Sequence, residues 1–97
     1  MTRQFKIAFP DFPEADMPAI PETFVDISWH NDTSPSFEHA QGYRLFVDYA
    51  NDAAREFPGG KRFTLYPLNE AGEQGAELVE TDDWSEMLAA LADRDLT

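Results

Sequence analysis

Trp84, Met87, Leu88 and Leu91 fall at i, i+3, i+4 and i+7, which lines all four along one stripe of an α-helix. Such a stripe is stable only against another apolar surface, and this is the strongest helical signal in the chain. Asp83, with Glu86 three residues on, resembles a capping box with Asp in place of Ser or Thr. Asp82, Asp83 and Glu86 also lie where the helix dipole favours negative charge.

Most other apolar residues alternate, the period of a strand with one buried face. Phe5, Ile7 and Phe9 alternate with Gln4, Lys6 and Ala8, predicting a first strand over Arg3 to Phe9 that Pro10 closes. Phe24 to Trp29 predicts another, with Val25, Ile27 and Trp29 on its buried face and Phe24, Asp26 and Ser28 opposite. Ser36 to Ala40 and Tyr43 to Tyr49 form a hairpin about Gln41-Gly42, where glycine supplies the positive φ of a tight turn. Tyr43, Leu45, Val47 and Tyr49 then share a face. A turn centred there sets Phe37 opposite Phe46 and His39 opposite Arg44, and a slip of one residue exchanges the faces. Arg62 to Leu68 and a last strand around Ala76 to Thr81 flank a Gly- and Glu-rich loop, Asn69 to Gly75. Asn51 to Phe57 is expected to be a short helical turn, capped by Asn51 or Asp52 and stopped by Pro58-Gly59-Gly60.

The expected architecture is α+β: an antiparallel sheet of five or six strands with one C-terminal amphipathic helix packed on one face. The 97 residues suit a single small acidic domain. Four of the seven prolines lie between Pro10 and Pro21, among Asp11, Glu14 and Asp16. That predicts an extended acidic connector at about 10–22.

Charge bounds the partners. Nineteen Asp and Glu against seven Lys and Arg give a formal charge of −12. Residues 11–32 hold six acids and no base, residues 70–95 hold nine acids against Arg94, and the stretch between balances at four each. A surface of this sign repels phosphate backbones, so no direct nucleic-acid binding is expected. A basic protein suits it far better. The absence of Cys excludes disulfides and thiolate chemistry and suits a reducing compartment. With no apolar run after Met1 to Lys6 and none of membrane-spanning length, the chain is expected to be soluble and cytoplasmic, with no membrane partner.

Catalytic signatures are thin. There is no Gly-x-Ser-x-Gly elbow, and neither histidine is placed by sequence against a particular Ser and Asp. Pro58-Gly59-Gly60-Lys61-Arg62 lacks the frame of a phosphate loop and predicts a turn into a strand. His30, Asp32 and His39 match no metal-ligand spacing, and no metal or cofactor is expected. The densest polar cluster is the bend from Trp29, His30, Asn31 and Asp32 to Ser34, with His39 beyond it. It supplies a candidate contact loop, although Asn, Asp, Ser and Pro are also what any tight turn requires. Glu70, Glu73, Glu77 and Glu80 along the last hairpin form the second candidate, since neither helix capping nor the connector accounts for them.

Three functions remain open at this level. The first is a non-catalytic protein-binding or regulatory domain, a monomer or weak homodimer, with no enzymatic activity of its own. The second is a small-molecule binder or enzyme using the Trp29 to Asp32 loop and His39. The third is an acidic DNA mimic that inhibits a nucleic-acid-binding protein.

Overall fold

A three-residue turn, Ala40 to Gly42, sets the register of the central hairpin. Gly42 adopts φ 92°, donates its amide to the His39 carbonyl at 3.0 Å, and a Cβ there would lie 3.3 Å from the Leu68 carbonyl oxygen. Glycine is therefore required twice over, by the backbone and by the close approach. The computed structural model describes residues 3–97. Its hairpin joins β2, Ser36–His39, to β3, Tyr43–Val47. The extra turn residue corrects the expected register: Phe37 pairs with Leu45 and His39 with Tyr43, while Glu38 faces Arg44 and Ser36 faces Phe46.

The sheet contains three further strands, β1 (Phe24–Asp26), β4 (Phe63–Pro67) and β5 (Val79–Thr81). They lie in the order β1-β2-β3-β4-β5, every neighbour antiparallel. This is an open meander of five strands, and with its helices it makes the expected α+β architecture. The region Asn51 to Phe57 supplies one 3-10 turn over Asp52–Ala54, capped by the Asn51 side chain on the Ala53 amide.

One expected strand is a helix. Residues 4–8 form α1, Gln4–Ala8. Phe5 and Phe9 are four residues apart, a separation that fits both a strand face and a helix face. Ile7 separates the two cases, and it is 61% exposed while Phe5 is fully buried. Pro10 prevents a longer helix, and the chain folds back so that the Phe12 ring meets the Phe5 ring edge-on at 5.7 Å. The acidic connector is thus no free arm: Phe12 is fully buried, the Tyr49 hydroxyl donates to Asp11 at 2.7 Å, and Arg62 donates to the Asp16 carbonyl.

The faces of β1 are also reversed from the expectation. Phe24 and Ser28 are buried, while Val25 is 64% and Trp29 53% exposed. Two polar groups win the inward positions because each is fully used there. Asp26 accepts from the Phe5 amide and from the Ser28 amide and hydroxyl, and Ser28 Oγ in turn accepts the Ser36 amide at 3.1 Å.

Helix α2, Trp84–Asp93, follows the predicted stripe, with Met87 and Leu91 buried and Trp84 packed on Phe63 at 5.0 Å between ring centres. Leu88 is only half-buried. Asp83 caps the Ser85 amide at 2.9 Å. The reciprocal half of the capping box is replaced, because the Asp83 amide donates to the Thr81 hydroxyl and that hydroxyl donates to Glu86. The C-terminus closes with Asp95 at φ 57° and paired backbone bonds, Leu96 to Leu91 and Asp95 to Ala92, a Schellman motif with Asp at the left-handed position. Its apolar residue, Leu96, is fully buried. Both helices send their buried side chains to one face of the sheet, meeting Phe24, Phe37, Leu45, Val47, Phe63 and Leu65.

Candidate functional site on the open face of the sheet

Strand alternation leaves the opposite face to other residues. One row across it is Val25, Glu38, Arg44 and Tyr66, and the next is Ser36, Phe46, Thr64 and Glu80. Neither helix packs there. Phe46 and Tyr66 stand edge to face with ring centres 5.7 Å apart and planes at 88°, a favoured aromatic geometry. With Thr64 they floor a cavity of about 580 Å³. Its walls are the bend at residues 31–34, the loop 56–62 with the exposed Phe57, and Gln74, Glu77 and Glu80.

Five carboxylates line this cavity, Asp32, Asp48, Glu56, Glu77 and Glu80, against Lys61 and Arg62. None of the five forms a salt bridge within 4.0 Å among the described residues. The cations are engaged elsewhere. Lys6 donates to the carbonyls of Pro10 and Phe12, Arg55 to those of Tyr49 and Gly60, Arg62 to those of Asp48 and Asp16, and Arg94 to that of Ala90. Lys61 pairs with Asp82 at 3.5 Å, and Arg44 with Glu38 at 3.1 Å. Four of the seven basic side chains thus brace backbone carbonyls. The acid excess remains as an outward field.

Burial, and in places neighbouring charge, perturbs the cavity's own groups. Burial pushes the Asp48 carboxyl above its usual range, against the pull of the Tyr49 amide, Arg55 and Arg62. Burial and then the charges of Glu77 and Glu80 raise the Tyr66 phenol. The hydrogen bond and charge of Glu80 raise the Glu77 carboxyl. Burial also lowers the Arg62 guanidinium. Perturbed groups gathered in one cleft mark it as the place to look for function.

The loop from Pro58 to Arg62 is closed to anions by the protein's own acids. Asp52 accepts the Gly59 amide at 2.8 Å and Asp82 accepts the Arg62 amide at 2.9 Å. Carboxylates occupy the donors that a phosphate would need.

The residues singled out from the sequence divide between several places. Asn31 and Asp32 stand in the cavity wall. Trp29 and His30 are exposed and lie against each other, ring centres 4.3 Å apart with planes inclined at 48°. His39 lies at the far end of β2 and on the core face, edge-on to Phe24 at 5.1 Å, with Nδ1 accepting the Gln41 amide. Glu77 and Glu80 join Asp32 in the cavity, whereas Glu73 accepts from Asn69 Nδ2 in the hairpin loop and Glu70 is exposed there. Phe46, Tyr66, Phe57 and Asp48 were not singled out. For Phe46 and Tyr66 the signal was aromatic residues at the outward positions of two strands that turn out to be neighbours.

Among the described residues no group of three or more His, Asp or Glu side chains is placed to hold a metal ion, and no helix is long and apolar enough to cross a membrane. Comparison with protein-family models, with curated proteins and with solved structures finds no match.

Proposed function

We propose that the chain is a non-catalytic protein-binding domain that docks a basic segment of another protein on the open face of its sheet. The observation that carries this reading is the cavity with the Phe46–Tyr66 floor and five carboxylates not in salt bridges. An aromatic floor gives a Lys or Arg stem something to cover, and carboxylates at the rim meet its charged end. Complementary charge also speeds encounter and makes it salt-dependent. A second copy of the chain is a poor occupant, because it would bring one acidic rim against another at a formal charge of −12 each.

Asp32 from one acidic stretch and Glu77 and Glu80 from the other share this cavity, while Asp26 turns to the core. Recognition in this reading belongs to the cavity and not to a continuous row of carboxylates. A small-molecule site built from the Trp29 to Asp32 loop together with His39 is less well supported, since His39 lies on the core face, across the sheet from Asn31 and Asp32.

The test is titration calorimetry with a nona-arginine peptide at low and moderate salt. Phe46→Ala and the double variant Glu77→Gln/Glu80→Gln should weaken binding roughly tenfold, as loss of a central contact does. A control with the same charge change outside the cavity, Glu14→Gln/Glu22→Gln, should weaken it less than roughly twofold. Equal losses in the cavity variants and the control would mean that the peptide senses net charge alone, and would overturn the proposal.

A further inference from the structure

The chain turns at Phe57-Pro58-Gly59-Gly60, where the Gly60 amide donates to the Phe57 carbonyl at 3.2 Å. Proline at the second position and glycine at φ 91° in the third make this a type II turn. A Cβ on Gly59 would meet nothing within 4 Å, so the backbone angle and not crowding calls for glycine there. Two side chains just upstream pin the turn. Asp52 accepts the Gly59 amide at 2.8 Å, and Arg55 donates to the Gly60 carbonyl at 2.7 Å while its Nε donates to the Tyr49 carbonyl. Asp52 and Arg55 are themselves paired at 3.2 Å.

The residue that this turn presents is apolar. Phe57 is 69% exposed, more than any other large hydrophobic side chain among the described residues, and it stands in the wall of the open-face cavity. A lone exposed apolar residue is ordinary on a protein surface. This one is held at the rim of an aromatic-floored cavity by a backbone fixed at both glycines, so its ring stays in water until something covers it.

Charge around the cavity is uneven as well. Both basic residues of its lining, Lys61 and Arg62, come from the loop that carries Phe57, against one acid there, Glu56. The bend contributes Asp32 and the last hairpin Glu77 and Glu80, with no base from either. A cation is therefore drawn to the bend and the hairpin, and the neighbourhood of Phe57 is left for an uncharged group.

We infer that the docked segment is amphipathic: an apolar residue packs on Phe57 while basic residues close to it in sequence meet Asp32, Glu77 and Glu80. The inference rests on the open face being the docking surface, and it makes Phe57 the residue that separates true partners from merely polybasic chains. Burial of the two apolar groups against each other adds affinity, and the acidic walls supply attraction at a distance.

Two nine-residue peptides of equal charge test it by titration calorimetry, one built of Arg-Arg-Leu repeats and the other of Arg-Arg-Ser repeats. The wild type should bind the leucine peptide roughly tenfold more tightly, and Phe57→Ser should bring that ratio close to one. Phe57→Leu, which keeps an apolar group, should retain most of the preference. Ile7→Ser removes a comparably exposed apolar residue, 61%, outside the cavity and should retain all of it. Both Phe57 variants should keep the urea midpoint of the wild type, since the side chain they replace is exposed. No preference in the wild type, an undiminished preference in Phe57→Ser, or an equal loss in Ile7→Ser overturns this inference and leaves docking of basic segments standing. Binding of neither peptide overturns the docking proposal and this inference with it.

Discussion

Asp26 Oδ2 accepts the Phe5 amide at 2.9 Å across 21 residues of sequence, while Oδ1 of the same carboxylate takes the Ser28 hydroxyl at 2.7 Å. One side chain thus ties the first turn of α1 to the edge strand β1, which is why an acid occupies an inward position beside an outward valine. Removing it strands buried donors, which costs about 1–3 kcal/mol. Asp26→Ala should lower the urea midpoint accordingly, whereas Val25→Ala, at a site 64% exposed, should stay within about 0.5 kcal/mol of wild type. The reverse ranking would put Val25 in the core and Asp26 in solvent.

The N-terminal segment closes the core through its aromatic rings. Phe12 is fully buried, with its ring 5.7 Å from that of Phe5 and 4.9 Å from that of Tyr49. Phe12→Ala should cost about 3–5 kcal/mol, the usual range for deleting a buried ring, and unfold a large part of the population at ambient temperature. Ile7→Ala, at an exposed position on α1, should be nearly silent. Thermal melts of the two variants decide it, and equal shifts would contradict the helical assignment of residues 4–8.

Asp95 carries the left-handed backbone that ends α2, at φ 57°. Glycine meets that conformation without a Cβ penalty. Asp95→Gly should therefore raise stability by about 0.5–1 kcal/mol, and a β-branched residue there should lower it by about 1–2 kcal/mol. Chemical denaturation with an unchanged slope is the appropriate readout.

Tyr49 gives the alkaline limit a specific cause. Burial, and after it the hydrogen bond to Asp11, raises its phenol well above the ordinary value of 10.0. A phenol that holds its proton more tightly folded than unfolded contributes stability that is complete below the unfolded pKa and is lost as pH rises beyond it. Stability of the wild type should thus decline above about pH 10. Tyr49→Phe should start lower, for want of the 2.7 Å bond, and decline less steeply. Parallel pH profiles would remove Tyr49 as the cause.

How far the sequence could be read follows from which interactions are local. The α2 stripe and the glycine turn were legible because a helix and a hairpin each declare themselves within ten residues. The register of that hairpin was missed by one position because a three-residue turn replaced a two-residue turn about the same glycine, and both leave Tyr43, Leu45 and Val47 on one face. Residues 4–8 read as a strand because Phe5 and Phe9 satisfy either period. The inward side of β1 was hidden because Asp26 and Ser28 are acceptable there only through Phe5 and Ser36, distant in sequence. The cavity was half legible: Asn31, Asp32, Glu77 and Glu80 were singled out, but that they meet over Phe46 and Tyr66 depends on strand order.

The central claim is that the open face of the sheet receives a basic partner, and amide chemical-shift mapping with nona-arginine tests it most directly. The account predicts saturable shifts confined to the amides of Phe46, Thr64, Tyr66, Glu77 and Glu80 and the neighbouring bend at Asn31 and Asp32, fading as salt is added. Shifts concentrated instead at the acidic start of α2, around Asp82, Asp83 and Glu86, or spread evenly over the acidic surface, would contradict it.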